Sequence, residues 1–298
     1  MPLRHTLTYN VRYYEIDGYG HVNNMVYLNW MQEAAMAASA AAGFDLARYA
    51  QLKRAWHIHQ TEIEYLSPLT YGEAVAATTW VADFSGVRSR RMYEFHRASN
   101  NELVARAHSD WAFIDTTTGR PAPIPPDLQS AFVPEDEPHV PITREPFPEP
   151  PPAPPGTFRG RRRVEWRDLD AAGHVNNATY LAFIGESAFQ AAAHLGWTAE
   201  RTWAEGFGIL ARKHRAQYHQ PALYGDELEV STFLFDLGAA TATRHFRLTR
   251  VSDSALIARV NSLYVWVDRA TLRPVRIPAH IRADLQANLA GPAKGTEP

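Results

Sequence analysis

The chain has 298 residues, 45% hydrophobic and 21% charged, with a formal net charge of -2, a profile of globular protein in one large or two medium domains. The near-zero charge excludes a general nucleic-acid binder, which needs a basic surplus to displace counterions from phosphates. The absence of cysteine excludes disulfides, a thiol nucleophile and cysteine-based metal or iron–sulfur sites.

The first residues, MPLRHTLTYN, lack the apolar core of a signal peptide. They begin an alternating run, RHTLTYNVRYYEID (Arg4–Asp17), which predicts a half-buried strand. The segment DGYGHVNN (Asp17–Asn24) then predicts a glycine-bearing loop. A helix follows near Asn24–Ala42 and stops at Gly43, since glycine just past a helix is the usual left-handed terminator. This helix has no polar stripe, so it is expected to be buried. Its run of small apolar residues, Ala34–Phe44, is well short of the roughly 20 needed to cross a bilayer. Together these features lead to the expectation of a cytoplasmic protein with no membrane partner. Runs rich in Val, Thr, Tyr, Phe and Trp predict four strands near Trp56–Leu66, Glu73–Phe84, Val87–Ala98 and Glu102–Asp115.

A proline-rich stretch, Pro134–Gly156, comes next and reads as a semi-rigid linker. The whole pattern then returns. TFRGRRRVEWRDLD (Thr157–Asp170) predicts a strand, DAAGHVNN (Asp170–Asn177) a loop, and Asn177–Leu195 a helix ended by Gly196. Strands follow near Phe207–His219, Glu227–Phe235, Ala240–Val251 and Ala255–Asp268, and an amphipathic helix is expected in the tail Ile277–Ala290. The two halves keep one offset of 153 residues, from Asp17/Asp170 through Tyr65/Tyr218 and Tyr71/Tyr224 to Asp83/Asp236. A period this long means tandem domains rather than a solenoid. The expected division is residues 1–133, a linker 134–156, and 157–298.

The loop and helix resemble the signature of the 4-hydroxybenzoyl-CoA thioesterase-like superfamily, D-x-x-G-H-V-N-N-x-x-Y followed by an acid. The first copy supplies Asp17, Gly20, His21, Val22, Asn23, Asn24, Tyr27 and Glu33; the second supplies Asp170, Gly173, His174, Val175, Asn176, Asn177, Tyr180 and Glu186. The resemblance implies an α+β class: two tandem hotdog domains, each an antiparallel sheet wrapped around a long buried helix. Single-domain members pair into dimers, so the tandem copy implies an internal pseudo-dimer, with further homo-oligomerisation left open. Acyl-ACP thioesterases are similar tandem proteins, but their loop has asparagine where this chain has Tyr19 and Ala172.

The activity implied is thioester hydrolysis, on acyl-CoA or acyl-ACP, with no cofactor and no metal. A thiolate with a pKa of about 8.5 leaves without much acid help. A carboxylate is needed to activate water or to attack, and helix N-terminal N–H groups suit the developing oxyanion. The catalytic candidates are therefore Asp17, Asp170, His21 and His174, with the histidines catalytic or loop-orienting. Each aspartate has the alternative of a local turn bond to backbone. Gly20 and Gly173 would let backbone approach the substrate. Asn23, Asn24, Asn176 and Asn177 sit where helix caps belong, and Tyr27 and Tyr180 read as core or pocket wall. These eight residues are the substrate-binding candidates. Glu33 and Glu186, inside apolar helices, are expected to be paired or to face the pocket. Arg88–Arg91, Arg159–Arg163 and Arg244 could meet coenzyme A phosphates or form solvated strand faces. His57 and His59 share a strand face without a third metal ligand. A non-catalytic acyl-binding module is the competing reading.

Overall fold

The computed structural model describes residues 3–133 and 142–291; the first part of the proline-rich stretch and the end of the tail, 134–141 and 292–298, lie outside the described residues. The chain divides into two compact units, Met1–Pro146 and Phe147–Pro298.

In unit one, β1 (His5–Asn10) leads through a 3-10 turn (Tyr13–Glu15) and the loop to α1 (Asn24–Ala41). Then come α2 (Leu46–Leu52), β2 (Arg54–Tyr65), β3 (Ala74–Ser85), β4 (Arg88–Arg97), β5 (Leu103–Asp115) and α3 (Pro126–Phe132). The strands lie in the order β1-β3-β4-β5-β2, and every pair is antiparallel. Unit two repeats this with β6 (Phe158–Arg163), a 3-10 turn (Trp166–Asp168), α4 (Thr179–His194), α5 (Ala199–Ala204), β7 (Phe207–Tyr218), β8 (Glu227–Phe235), β9 (Thr241–Arg250) and β10 (Leu256–Asp268). Its order is β6-β8-β9-β10-β7, again antiparallel. Each unit is thus a hotdog domain, one long helix packed on its own antiparallel sheet. The eight long strands fall within two residues of the predicted ones.

The opening runs are shorter strands than the alternation predicts. In both units the chain leaves the ladder for a 3-10 turn because a local acid captures its backbone. Glu15 Oε2 accepts the Arg12 N–H at 2.8 Å, and Asp168 Oδ2 accepts the Glu165 N–H at 2.8 Å. Such side-chain bonds compete directly with ladder bonds.

α1 buries Tyr27, Trp30, Met31, Ala34 and Ala38 against its sheet, and the small alanines permit close approach. Its outer side is not buried: Asn29, Glu33, Met36 and Ala40 are exposed. α4 likewise exposes Glu186, Phe189 and Gln190. The missing polar stripe predicted burial on all sides. It misleads because the outer face carries alanine, Met36 and Phe189 as well as polar residues.

Three helices were not predicted. α2 and α5 are equivalent and short, capped by Asp45 Oδ1 on the Arg48 N–H at 2.8 Å and by Thr198 Oγ1 on the Arg201 N–H at 3.3 Å. Six or seven residues carry too little periodicity to read. α3 starts with Pro at its first position and buries Leu128 and Phe132. The tail forms α6 (Ala279–Asp284) and a 3-10 turn (Leu285–Asn288), with Ile281 and Leu285 buried as an amphipathic helix requires.

The proline-rich segment has no regular structure over 142–157, yet it is fastened. The Asp83 side chain is fully buried, and it accepts bonds from the Arg90 N–H at 3.1 Å, the Ile142 N–H at 3.3 Å and Arg144 Nη1 at 2.9 Å. Arg90 in turn makes a bidentate pair with Asp110 at 2.8 and 2.7 Å. In unit two, Phe147 is buried beneath the Arg259 guanidinium, which also meets Glu149 at 2.7 Å.

Arg144→Ala is expected to destabilise unit one by about 3–5 kcal/mol, because it strips a buried carboxylate of its guanidinium. Urea unfolding of Arg144→Ala, Asp83→Asn and the double variant checks this. The double variant should lose less than the sum of the two single ones.

His214 on β7 is buried, with Nδ1 2.7 Å from Ser262 Oγ. Burial pushes its pKa down from the ordinary histidine value to about 4, so the folded state keeps it neutral while an unfolded chain takes up a proton below about 6.5. Stability should therefore fall as pH drops from about 6.5 to 4, by about 3 kcal/mol in all. His214→Thr, which copies Thr61 of unit one, should flatten that part of a stability–pH curve measured by denaturant titration.

Candidate active site

Between the 3-10 turn and α1 the loop forms a tight hairpin. Ile16 and Val22 make an isolated antiparallel bridge. The Asp17 N–H donates to His21 O at 2.8 Å, and the Gly20 N–H to Asp17 O at 2.9 Å. Two further bonds clamp the hairpin to its surroundings: Val22 N–H to Leu69 O and Asn23 N–H to Glu15 O, both 2.8 Å. Unit two repeats all of this. Leu169 bridges Val175, Asp170 N–H meets His174 O at 2.9 Å, Val175 N–H meets Ala222 O at 2.9 Å, and Asn176 N–H meets Asp168 O at 2.9 Å.

The glycines of the hairpins, Gly20 and Gly173, have φ of +78° and +80°. A Cβ at either would meet nothing within 4 Å. Glycine is thus required by the left-handed backbone, not by crowding from the protein.

Asp17 Oδ1 accepts the Tyr19 N–H at 2.8 Å and, at the limit of a bond, the His21 N–H at 3.4 Å. Asp170 Oδ1 accepts the Ala172 N–H at 2.9 Å and lies 3.6 Å from His174 Nδ1. The local turn bond expected of such an aspartate is therefore present in both copies. It occupies one oxygen only: among the described residues, Oδ2 of each aspartate has no hydrogen-bond partner. The His21 side chain has none either, so the two loops differ in how the histidine meets the acid.

The paired asparagines divide their work. Asn23 Oδ1 caps α1 by accepting the Met25 N–H at 3.1 Å, and Asn176 Oδ1 accepts the Ala178 N–H at 2.8 Å. The second of each pair is held by its carbonyl: Tyr65 Oη donates to Asn24 O at 3.0 Å, and Tyr218 Oη to Asn177 O at 3.2 Å. The Asn177 N–H has no acceptor among the described residues. It stands just before α4, where the positive end of the helix dipole lies.

Tyr27 and Tyr180 are buried in the core of their units. Tyr27 packs edge-on against Trp30, Tyr65 and Phe95 with centroids 5.2, 5.2 and 5.4 Å away. Burial raises both phenols, Tyr180 to about 12, so neither ionises near neutral pH. Glu33 and Glu186 correct the expectation of buried acids. Both are exposed on the outer helix face, and Glu186 accepts a bond from Gln190 Nε2 at 3.1 Å. The arginines also divide. Arg90, Arg91 and Arg244 are buried, Arg90 on Asp110 and Arg244 on Asn288 Oδ1 at 3.1 Å. These three therefore form no solvated strand face. Among the described residues, no group of three or more His, Asp or Glu could hold a metal, and no helix is long and apolar enough to cross a membrane.

Sequence comparison places this duplicated architecture. The family model described as the thioesterase-like superfamily matches residues 11–132 and again 164–285. The chain belongs to the thioesterase-like superfamily. One relative in curated proteins is the acyl-CoA thioester hydrolase YbgC of Escherichia coli O6:H1, 27% identical over 129 residues, 43% of this chain and 96% of that protein. Another is the chloroplastic acyl-[acyl-carrier-protein] hydrolase FATB2 of Cuphea viscosissima, 24% identical over 188 residues, 60% of this chain and 46% of that protein. Among solved structures, the 12:0-ACP thioesterase from Umbellularia californica aligns with a TM-score of 0.68 at 20% identity. That alignment covers 88% of this chain and 93% of the other, and is a likeness of fold.

For this superfamily member, the structure brings Asp17, Gly20, His21, Asn23, Asn24 and Tyr27 into one neighbourhood, and their six counterparts into another. Sequence reasoning passed over Tyr65 and Tyr218, which hold the carbonyls at the helix entries. Their common 153-residue offset was the available signal. It also passed over exposed aromatic pairs beside each loop, Tyr13–Tyr71 and Trp166–Tyr224.

Gly20→Ala is expected to cost about 1–2 kcal/mol through its left-handed backbone, with no clash to add to it. Thermal unfolding should register that loss.

Proposed function

We propose that this chain hydrolyses acyl thioesters, acyl-CoA foremost, to a carboxylate and a free thiol. The observation that carries the reading is the half-used carboxylate of each loop. One oxygen of Asp17 or Asp170 is tied to backbone and fixes the side chain, while the other is left for chemistry. An acid needed only for the turn would do as well as asparagine.

In the proposed reaction, Oδ2 accepts a proton from water as the water oxygen bonds to the thioester carbonyl carbon. The carbonyl π electrons move to oxygen, where an N–H at the helix entry stabilises the charge; the Asn177 N–H fits this role. The oxyanion then re-forms the carbonyl, the C–S bond breaks, and the thiolate takes up a proton. Direct attack by Oδ2 gives an acyl anhydride that water opens, with the same overall balance. His174, 3.6 Å from Asp170, would orient the acid, and Tyr27 and Tyr180 would wall the acyl group. Acyl-ACP is the alternative substrate, supported by the relative that is an acyl-[acyl-carrier-protein] hydrolase.

The test is thiol release from short, long and aromatic acyl-CoAs with Asp17→Asn, Asp170→Asn and both together. Removing a positioned base should lower turnover by about 100-fold or more in the double variant. Since asparagine can still accept the loop N–H bonds, folding should survive. Unchanged turnover in the double variant would sink the reading. Acyl-CoA binding without hydrolysis in any version would favour an acyl-binding module.

A further inference from the structure

Each unit displays two large aromatic rings in solvent beside its loop. Tyr13 and Tyr71 meet edge to face, with centroids 5.8 Å apart at 89°, and Trp166 and Tyr224 do so at 5.9 Å and 83°. Tyr13 is 79% exposed and Trp166 77%. Within each pair, one ring stands on the 3-10 turn that enters the loop. The other follows the segment that clamps it; in unit two, His174 bridges Leu223, the neighbour of Tyr224. Edge-to-face contact leaves a ring face of the pair open. Contiguous exposed aromatics of this kind mark binding sites more than they stabilise a fold.

The two pairs differ in charge. In unit two the Arg163 guanidinium reaches the turn of Tyr224, with Nη2 4.0 Å from where a Cβ on Gly225 would lie. Arg163 is exposed and has no hydrogen-bond or ion-pair partner among the described residues. Its neighbours are already neutralised: Arg159 by Glu229, Arg161 by Glu227 and Arg167 by Glu165. Unit one has Asn10 at the matching position, and its nearby Arg12 donates to Tyr14 Oη at 2.6 Å.

We propose that Trp166, Tyr224 and Arg163 form a subsite for the nucleotide end of coenzyme A. The adenine stacks on the open ring face, and the free guanidinium meets a phosphate of the same ligand. The proposal rests on the thioester-hydrolase reading and chooses its carrier. A purine base has a π-face that an exposed aromatic pair can hold, and a phosphate suits an arginine not already paired. An acidic carrier protein would call for a broad basic face, whereas Arg159, Arg161 and Arg167 each meet a glutamate and Arg162 meets Asp168.

The experiment compares acyl-CoA with the same acyl group on pantetheine, which lacks the nucleotide. Both side chains are exposed, so Trp166→Ala/Arg163→Ala should fold normally. Its kcat/KM for acyl-CoA should fall about tenfold or more, with pantetheine thioester turnover unchanged. Tyr13→Ala in unit one should alter neither. Equal losses on both thioesters, no loss on acyl-CoA, or a larger loss on acyl-ACP would overturn the subsite. Calorimetric binding of free coenzyme A separates this result from the activity itself. If no thioester is hydrolysed but coenzyme A binding weakens about tenfold in the variant, the subsite stands and the hydrolytic reading falls. Coenzyme A binding that the variant leaves intact overturns the subsite in either case.

Discussion

Two backbone hydrogen bonds hold each loop in place, and the rest of the site depends on them. Val22 N–H on Leu69 O and Asn23 N–H on Glu15 O pin the hairpin between the 3-10 turn and the segment leading to β3. Val175 and Asn176 do the same in unit two. With the hairpin pinned, the aspartate is presented at its far end, the asparagine falls at the helix entry, and the aromatic pair flanks both. Backbone bonds of this kind depend little on side-chain identity, which is why Tyr19 and Ala172 can occupy the same place in otherwise equal loops.

The helix beneath the loop contributes in a different way. In α1 the first turn is capped by a side chain from the loop itself, Asn23, and the equivalent Asn176 binds the N–H of Ala178, the residue that precedes α4. The cap consumes one N–H at the helix entry and leaves the adjacent one in unit two free. The tyrosine hydroxyls on β2 and β7 then fix the carbonyls of Asn24 and Asn177. Sheet, helix and loop are joined at one point, so a change in strand register would move the acid.

The copies are equivalent in backbone and unequal in chemistry. Asp170 has a histidine nitrogen 3.6 Å away, while the His21 side chain has no partner among the described residues. β7 buries His214 on Ser262 where β2 places Thr61 on Ser109. Among the described residues, Arg163 of unit two has an unpaired side chain beside the aromatic pair, where unit one has Asn10. Duplication preserved the constraints that build the loop and released the positions around it.

Strong local signals were legible in the sequence itself. The strands could be read because residues paired on a pleated sheet repeat with a period of two, and the loop because its acid, glycine, histidine and asparagines recur at one offset. The short helices α2 and α5 could not be read, since six or seven residues hold too few turns for a period to show. Burial of Glu33, Glu186 and the strand arginines was misjudged for a related reason. Which face of a helix or strand meets the core is settled by the elements packed against it. Asp83 is the sharpest case: its neutralising partner Arg144 lies 61 residues away in a proline-rich segment. The sequence alone thus determined the duplication, the loop motif and the strand order along the chain, because these rest on local residue pattern. Only the tertiary structure decided which oxygen of the aspartate is free, which asparagine caps and which arginine is unpaired, because each depends on groups distant in the chain.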